Sequence, residues 1–433
     1  MRKNKVDIVT LGCSKNLVDS EQLLFQFKAN GYSVTHNPDK VDGEIVVVNT
    51  CGFIGDAQEE SIETILELEE AKKKGEIGKL FVMGCLSERF RNELKHEITG
   101  VDRYYGKFNW KNLLTDIGKS YYSDKSNARI LTTPSHYAYL KIAEGCNRTC
   151  SFCAIPLITG KYRSRPMEEI VSETRLLVEK GVKELQVVAQ DLTYYGTDVY
   201  KKTILPELIE RLSDIKGVEW IRLHYGYPAH FPFELLRVMR ERDNVCRYLD
   251  IALQHCSDRM LQKMRRGITC KETFHLIQTI RQEIPEIHLR TTLMVGHPGE
   301  TDDDFNELVD FIKKIRFERL GVFAYSHEAG VYSYLNYQDD VPIEIKKQRL
   351  DTLMKAQQTI SSEVNQKKVG KIFKTIIDRK KGDYYVGRTA FDSPDIDPEV
   401  LIISDKRINT GSFHSVLIEK ADIYDLFGKT VDL

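Results

Sequence analysis

Three cysteines stand close together in the middle of the chain, in the segment EGCNRTCSFCAIP. Cys146, Cys150 and Cys153 have the spacing C-x3-C-x2-C. Three thiolates in one short loop can bind three corners of a cubane iron–sulfur cluster, which leaves the fourth iron without a protein ligand from this loop. That iron is then free to bind an exogenous molecule, as a catalytic site requires. The spacing therefore predicts a catalytic iron–sulfur site rather than a purely structural one.

Zinc is the main alternative for this loop. A structural zinc site needs four ligands, usually in two separated pairs, and the loop supplies three. Inert buried thiols fit less well, because the residues between the first two cysteines, Asn147 to Thr149, are polar. A zinc protein that binds RNA through its C-terminal part stays an alternative; it would purify without colour.

A second set of cysteines is spread along the first hundred residues. Cys13, Cys51 and Cys85 each follow, within one or two residues, an apolar run: VDIVTLG, EIVVVNT and KLFVMG. The carboxyl ends of parallel strands lie on one edge of a sheet, so these thiols can converge on a second cluster. Each has a glycine beside it where a close approach needs no Cβ, at Gly12, Gly52 and Gly84. The alternative is ordinary buried cysteines, which is our interpretation of Cys246, Cys256 and Cys270.

The elements that must position these residues are strands alternating with helices. The first hundred residues predict a doubly wound α/β domain, with a helix over Asp19–Ala29 that begins at the capping residues Asp19 and Ser20, and a helix over Asp56–Lys74. A polar stretch, 120–134, separates it from about six further β-α repeats that predict a TIM-like, possibly incomplete, barrel. After a long helix over 341–368, short β-branched runs predict a small OB-like β-barrel. We therefore predict an α/β protein with domains at 1–119, 135–367 and 368–433.

Composition limits the classes of function. The 433 residues are 41% hydrophobic and 29% charged, with a formal net charge of −1, so the whole molecule has no basic footprint for nucleic acid. The sequence has no long apolar stretch and no apolar leader after Met1, which predicts a soluble cytoplasmic protein without a membrane partner. In a reducing cytosol, grouped cysteines favour metal or redox chemistry over disulfides.

The three-cysteine loop resembles the signature of the radical S-adenosylmethionine (SAM) superfamily, including the aromatic Phe152 before the last cysteine. The resemblance implies that the open iron chelates SAM, and that an electron from the cluster cleaves SAM to a 5′-deoxyadenosyl radical that abstracts hydrogen from a C–H bond. A barrel would shield this radical from water. Gln190 follows the second barrel strand, where members of the superfamily contact the amino group of SAM.

Two open clusters in one chain resemble the methylthiotransferases, and this resemblance covers essentially the whole chain, including a C-terminal module similar to the TRAM domain. It implies two [4Fe-4S] clusters and SAM as both radical source and methyl donor. The cluster of Cys146, Cys150 and Cys153 would generate the radical, and that of Cys13, Cys51 and Cys85 would deliver sulfur. A low-potential electron donor is then required. A non-catalytic iron–sulfur electron carrier is the competing class, and it would yield no 5′-deoxyadenosine.

Several segments resemble the protein-modifying branch of this family, whose substrate is an aspartate of ribosomal small-subunit protein twelve. They are LGCSKNLVDSE, YLKIAEGCN, WIRLHYGYP, LDIALQH and GRTAFDSPDID. The sequence departs from that pattern at Thr159, where arginine is expected, and at His297, where phenylalanine is commoner. The alternative substrate is adenosine-37 of transfer RNA.

Charge in the C-terminal part bears on this choice. From Lys371 onward there are ten Lys and Arg and eleven Asp and Glu, with acidic residues at Asp392, Asp395, Asp397 and Glu399. An RNA-binding barrel should be basic, whereas an acidic face suits a basic ribosomal protein; a solvated turn is the other interpretation. Three arginines could bind a substrate aspartate or form ordinary ion pairs: Arg222, Arg265 and Arg290.

Overall fold

The computed structural model describes residues 1–432. The chain divides into two compact units. The first contains residues 1–133, 139–148 and 153–163; the second contains 134–138, 149–152 and the chain from 164 onward. None of the helices within the described residues has the length and apolar character needed to cross a membrane. The three-domain boundaries given above stay a prediction.

The first unit is built on a parallel five-stranded sheet with the order β2-β1-β3-β4-β5. Its strands are β1 (Arg2–Thr10), β2 (Ser33–His36), β3 (Gly43–Thr50), β4 (Lys79–Gly84) and β5 (Arg103–Tyr104). The helices are α1 (Ser14–Ala29), α2 (Gly55–Lys73), α3 (Cys85–Arg89), α4 (Arg91–Glu97) and α5 (Asn112–Asp116). Apolar clusters cover both faces of the sheet, which confirms the doubly wound prediction.

Helix α1 begins earlier than predicted. The sequence suggested Asp19 as a capping residue, but the N-cap is Cys13 and Asp19 lies inside the helix. Asp19 is 4% exposed and forms ion pairs with two lysines. A capping residue and a buried acceptor for distant cations have the same local sequence pattern, so tertiary contacts decide between them.

A six-stranded sheet, in the order β13-β12-β11-β10-β9-β6, forms the predicted partial barrel. The strands of this region are β6 (Tyr137–Lys141), β7 (Ala143–Glu144), β8 (Arg163–Ser164), β9 (Glu184–Val188), β10 (Trp220–Gly226), β11 (Val245–Ile251), β12 (His288–Val295) and β13 (Arg319–Ala324). The helices are α6 (Ile155–Thr159), α7 (Met167–Glu179), α8 (Leu205–Ser213), α9 (Glu234–Glu241), α10 (Asp258–Lys263), α11 (Cys270–Glu283), α12 (Asp302–Ile315), α13 (Tyr332–Asn336) and α14 (Ile343–Gln366). Strands β9 to β13 pair in parallel, which is the arrangement that β-α repeats predict.

The C-terminal strands close into a small barrel in the order β14-β15-β16-β18-β17, as the sequence predicts. They are β14 (Ile372–Lys381), β15 (Tyr384–Thr389), β16 (Val400–Ile403), β17 (Phe413–Ala421) and β18 (Leu426–Thr430). Buried isoleucines and valines fill its interior.

The acidic run after β15 is not a free acidic face. Asp392 accepts a hydrogen bond from Arg319 at 2.6 Å, and Asp397 accepts one from Arg290 at 2.6 Å. Both carboxylates are buried against the barrel strands. The interpretation of these two residues as a docking surface or a solvated turn is therefore wrong, because their charges are compensated within the chain.

Arg222 also contacts the segment after β15. Its side chain is fully buried and donates to Glu184 at 3.0 Å and to the carbonyl of Ala390 at 2.7 Å. Arg388 donates to the same Glu184 carboxylate at 2.7 Å. Arg222 thus forms its ion pair within the partial barrel and a hydrogen bond to the segment after β15, whereas the ion pair of Arg290 joins β12 to that segment.

Candidate metal centres

The three cysteines of the N-terminal set follow three adjacent strands. Cys13 follows β1 and caps α1, Cys51 comes directly after β3, and Cys85 begins α3 directly after β4. In the β3–β4 pairing Thr50 lies opposite Gly84, so the next residues, Cys51 and Cys85, leave the sheet side by side. The three thiols are near enough to affect one another's ionisation. The structure therefore brings the predicted set together at one sheet edge.

Two glycines make this convergence possible. Gly12 has φ +85°, and a Cβ there would lie 2.7 Å from Cβ and 2.9 Å from Sγ of Cys51. Gly84 has φ +100°, and a Cβ there would clash with Oδ1 of Asn49. Any other residue would meet both backbone strain and a clash. A cradle this tight around thiols fits a bound cluster.

Asn16 lies at the centre of this site and is fully buried. Its Nδ2 donates to the carbonyls of Leu11 at 3.1 Å and Thr50 at 3.0 Å, which stand just before the first two cysteines. Its Oδ1 lies 3.6 Å from Sγ of Cys85. One amide thus contacts all three cysteine segments.

Buried charges surround this amide. Lys107 Nζ donates to Asn16 Oδ1 at 3.0 Å and to Asp19 at 2.5 Å. Lys141 donates to the other oxygen of Asp19 at 2.5 Å and to Glu144 at 2.9 Å. Burial alone would lower the pKa of Lys107, but the neighbouring Asp19 and Glu144 raise it well above its usual value. The ammonium therefore stays charged.

The three thiols differ in their ease of ionisation. Burial raises the pKa of Cys51, and it raises that of Cys85 to about 12. Burial also disfavours the Cys13 thiolate, but the charges of Lys15 and Lys107 outweigh it and lower the pKa of this thiol. Cys13 is thus the one of these three thiols whose pKa is lowered.

Hydrogen bonds also fix the cysteine loop of the barrel, residues 146–153. Within the first unit, the backbone N–H of Cys146 donates to Gly160 O at 3.1 Å, and its Sγ accepts from the N–H of Arg148 at 3.4 Å. Tyr162 N–H donates to Oδ1 of Asn147 at 3.0 Å. Cys153 belongs to the same unit. These contacts hold the start of the loop in a fixed turn.

Cys150 belongs to the second unit, where Arg266 donates to its Sγ at 3.1 Å. The same guanidinium stacks on Tyr227 at 4.2 Å and donates to the carbonyl of Ala252. The Tyr227 hydroxyl lies 3.8 Å from Sγ of Cys150. The Arg266 guanidinium and the Tyr227 hydroxyl therefore both lie within hydrogen-bonding range of this sulfur.

Ser151 anchors the loop through three contacts. Its N–H donates to Met264 O at 3.0 Å, its carbonyl accepts from Ser333 N–H at 2.7 Å, and its hydroxyl lies 3.0 Å from Nε2 of His297. His297, one of the two departures from the family pattern, is fully buried, and burial lowers its pKa to about 4. His297 therefore lies on the buried side of the cysteine loop.

The two residues predicted to contact SAM lie in the cysteine loop and beyond β9. Phe152 is half-buried in the cysteine loop, with its ring 6.5 Å from that of His297 in an edge arrangement. Gln190 stands two residues beyond the end of β9 and is half-buried. Arg265 stacks on Tyr332 at 4.4 Å. The role of Phe152 and Gln190 in binding SAM stays a prediction.

Among residues 1–432, no three acidic, histidine or cysteine side chains are arranged to hold one metal ion. A cubane cluster binds each thiolate through a different iron, so its ligands need not meet at a single point. The donor set and the tight glycine turns fit such a cluster. Cys246 and Cys256 are buried, and burial raises the pKa of both thiols, while Cys270 is partly exposed; the interpretation of these three cysteines as structural stays a prediction.

Sequence reasoning missed Asn16, Lys107 and Arg266. Asn16 stands three residues after Cys13 in the LGCSKN segment, which was a usable signal. Lys107 is 22 positions along the chain from Cys85, the nearest cysteine of its site in sequence. Arg266 is 116 positions from Cys150, to which it donates. No local pattern marks them.

Three regions match known families. Residues 140–312 match the radical SAM superfamily, residues 5–106 match the uncharacterized protein family UPF0004, and residues 369–431 match the TRAM domain.

Full-length relatives are also found. The chain is 66% identical, over 100% of both chains, to "Ribosomal protein uS12 methylthiotransferase RimO" of Parabacteroides distasonis. It is 63% identical to the protein of the same name from Phocaeicola vulgatus, over 99% of each chain. Among solved structures, the radical S-adenosylmethionine methyltransferase TsrM from Kitasatospora setae has a TM-score of 0.55, with 15% identity over 74% of this chain and 72% of that chain. The last likeness is one of fold.

Proposed function

Since the chain belongs to the RimO family of ribosomal protein uS12 methylthiotransferases, we propose that it attaches a methylthio group to the β-carbon of an aspartate in uS12. The observation that carries this proposal is the full-length identity to these relatives. The enzyme is a radical SAM enzyme, and its family implies SAM and [4Fe-4S] clusters as cofactors.

We propose that Cys146, Cys150 and Cys153 hold the radical-generating cluster, with Phe152 and Gln190 beside SAM. The C-x3-C-x2-C spacing and the cationic Arg266 at Cys150 support this assignment. When bound, this cluster and SAM supply the one-electron chemistry that activates a C–H bond.

We assign Cys13, Cys51 and Cys85 to the sulfur-donating cluster. Their convergence at one sheet edge and the absence of a Cβ at Gly12 support it. In this site Asn16 orients the cysteine segments by hydrogen bonds. The barrel would exclude water from the reacting C–H bond.

The rival substrate, adenosine-37 of transfer RNA, is not favoured by the identity of the relatives. The C-terminal barrel also lacks the excess of basic residues that an RNA-binding module needs. We further propose that the enzyme acts in the cytoplasm, on uS12 in or near the assembled ribosome, and receives electrons from a low-potential donor.

The test is mass spectrometry of uS12 from cells with and without this gene. The expected result is one methylthio group on an aspartate, lost with the gene and restored by the intact chain. Cys146→Ala and Cys13→Ala should each fail to restore it, while Cys270→Ala, the matched control, should succeed. If uS12 is unchanged while transfer RNA loses methylthioadenosine, the assignment of uS12 as the substrate is wrong.

A further inference from the structure

Lys107 is a buried cation beside the N-terminal cysteines. Its side chain is 2% exposed, and its Nζ lies 3.0 Å from Oδ1 of Asn16. The same Oδ1 lies 3.6 Å from Sγ of Cys85. The ammonium is therefore separated from a proposed cluster ligand by a single amide oxygen.

The orientation of that amide is fixed by its partners. Nδ2 of Asn16 donates to two carbonyl oxygens, those of Leu11 and Thr50. A flipped amide would set its oxygen against these carbonyls and its N–H groups against the Lys107 ammonium. Oδ1 of Asn16 therefore faces the Lys107 ammonium, which donates both to this oxygen and to the Asp19 carboxylate.

A positive charge beside the N-terminal cysteines has a predictable effect on the reduction potential of a cluster that they hold. A cluster held by three thiolates gains one further negative charge when it accepts an electron. A buried positive charge nearby is weakly screened and stabilises the more negative, reduced state. We propose that Lys107 is a positioning residue whose buried charge raises the midpoint reduction potential of the cluster held by Cys13, Cys51 and Cys85.

This proposal rests on the cluster assignment made under the proposed function. The negative charge of Asp19 allows a second test, in which the expected shift of the potential has the opposite sign. It is buried and shared by Lys107 and Lys141, with each cation at 2.5 Å from one carboxylate oxygen. Its negative charge opposes that of Lys107, so its removal should move the potential in the other direction.

The experiment uses the full chain with Cys146, Cys150 and Cys153 replaced by Ala, reconstituted with iron and sulfide so that only the N-terminal cluster forms. The midpoint potential is measured by a reductive titration followed by electron paramagnetic resonance. Lys107→Met should lower the equilibrium constant for one-electron reduction about tenfold, which is about 59 mV. Asp19→Asn should raise the potential, and Lys107→Arg should keep it near the parent value.

The matched control is Lys72→Met. Lys72 also pairs with an aspartate, Asp102, at 2.5 Å in the same unit. It lies 17 residues along α2 from Gly55, which is about 25 Å of helix. Its removal should leave the potential unchanged.

The outcomes separate the two proposals. A parent that retains no iron overturns the N-terminal cluster assignment, and this inference with it. A parent that holds the cluster, with equal potentials or with Lys107→Met and Asp19→Asn shifted in the same direction, overturns the role of Lys107 alone. If Lys107→Met cannot retain iron, the sign of the Asp19→Asn shift decides.

Discussion

Asp397 accepts a hydrogen bond from Arg290 at 2.6 Å, although 107 positions separate them in sequence. The Asp397 side chain is fully buried, while that of Arg290 is 19% exposed. The pair joins the segment after β15 to the barrel strand β12. Because a buried carboxylate without its cation is costly, this pair should be important for stability.

Arg290→Met is expected to destabilise the protein by about 3–5 kcal/mol, since it leaves Asp397 buried without its charge partner. The measurement is urea unfolding followed by circular dichroism. Arg379→Met is the control, because the Arg379–Glu399 pair also has a 2.6 Å contact but Arg379 is 49% exposed. It should cost about 0–1 kcal/mol. Equal losses for the two variants would contradict the importance of burial here.

Lys368 should make stability depend on pH. It is 5% exposed, its ammonium has no hydrogen-bond partner within residues 1–432, and burial lowers its pKa to about 8. Between pH 8 and the unfolded value of 10.5 the unfolded chain binds more protons, so stability rises with pH across this window. Below pH 8 the folded state bears the full cost of keeping Lys368 charged.

Lys368→Met should therefore be more stable than the parent at pH 7, by at most about 3 kcal/mol. This advantage should shrink as pH rises from 8 towards 10.5, in thermal unfolding measured at several pH values. Lys367→Met alters the exposed neighbouring residue and should show no such trend. A constant difference at all pH values would show that packing, not charge, is responsible.

Gly12→Ala should abolish the N-terminal cluster. Gly12 and Gly31 have nearly the same backbone conformation, with φ of +85° and +87°, but only Gly12 has a neighbour, Cys51, that a Cβ would meet. Both variants should lose about 1 kcal/mol of stability to backbone strain. Iron analysis in the background without the three barrel-loop cysteines should show loss of iron for Gly12→Ala alone. Retained iron would mean that the close approach to Cys51 is dispensable.

Arg266→Met should slow SAM cleavage by at most about tenfold, the factor that corresponds to loss of the full charge-assisted hydrogen bond of about 1.5 kcal/mol to Cys150 from the reacting state alone. The readout is 5′-deoxyadenosine formed with a chemical reductant. Arg281→Met is the control, since its guanidinium binds Glu318 instead. Cleavage at the parent rate in Arg266→Met would exclude this contribution.

The fold followed from local patterns to a large extent. Apolar runs such as Glu44–Thr50 became buried parallel strands, and parallel strands necessarily end on one edge, so the convergence of Cys13, Cys51 and Cys85 could be predicted. The start of α1 could not, because Asp19 serves as an acceptor for remote cations rather than as a cap.

The partners of the buried charged residues could not be predicted from the sequence. Asp392 and Asp397 read as an exposed acidic run, since an ion pair with a distant strand leaves no trace in neighbouring residues. Lys107 and Arg266 are ordinary cations in a chain with 63 Lys and Arg. Only the packing of remote segments distinguishes them.

Asp19 also bears on how such a gene could be rearranged. One of its two cations, Lys107, comes from residues 1–133, and the other, Lys141, comes from the separate stretch 139–148 of the same compact unit. A recombination event that joined residues 1–133 to an unrelated chain would carry the three cysteines but leave Asp19 with half of its compensating charge. The segment that contains Cys13, Cys51 and Cys85 would therefore have to be inherited together with residues 139–148 to keep both cations of Asp19.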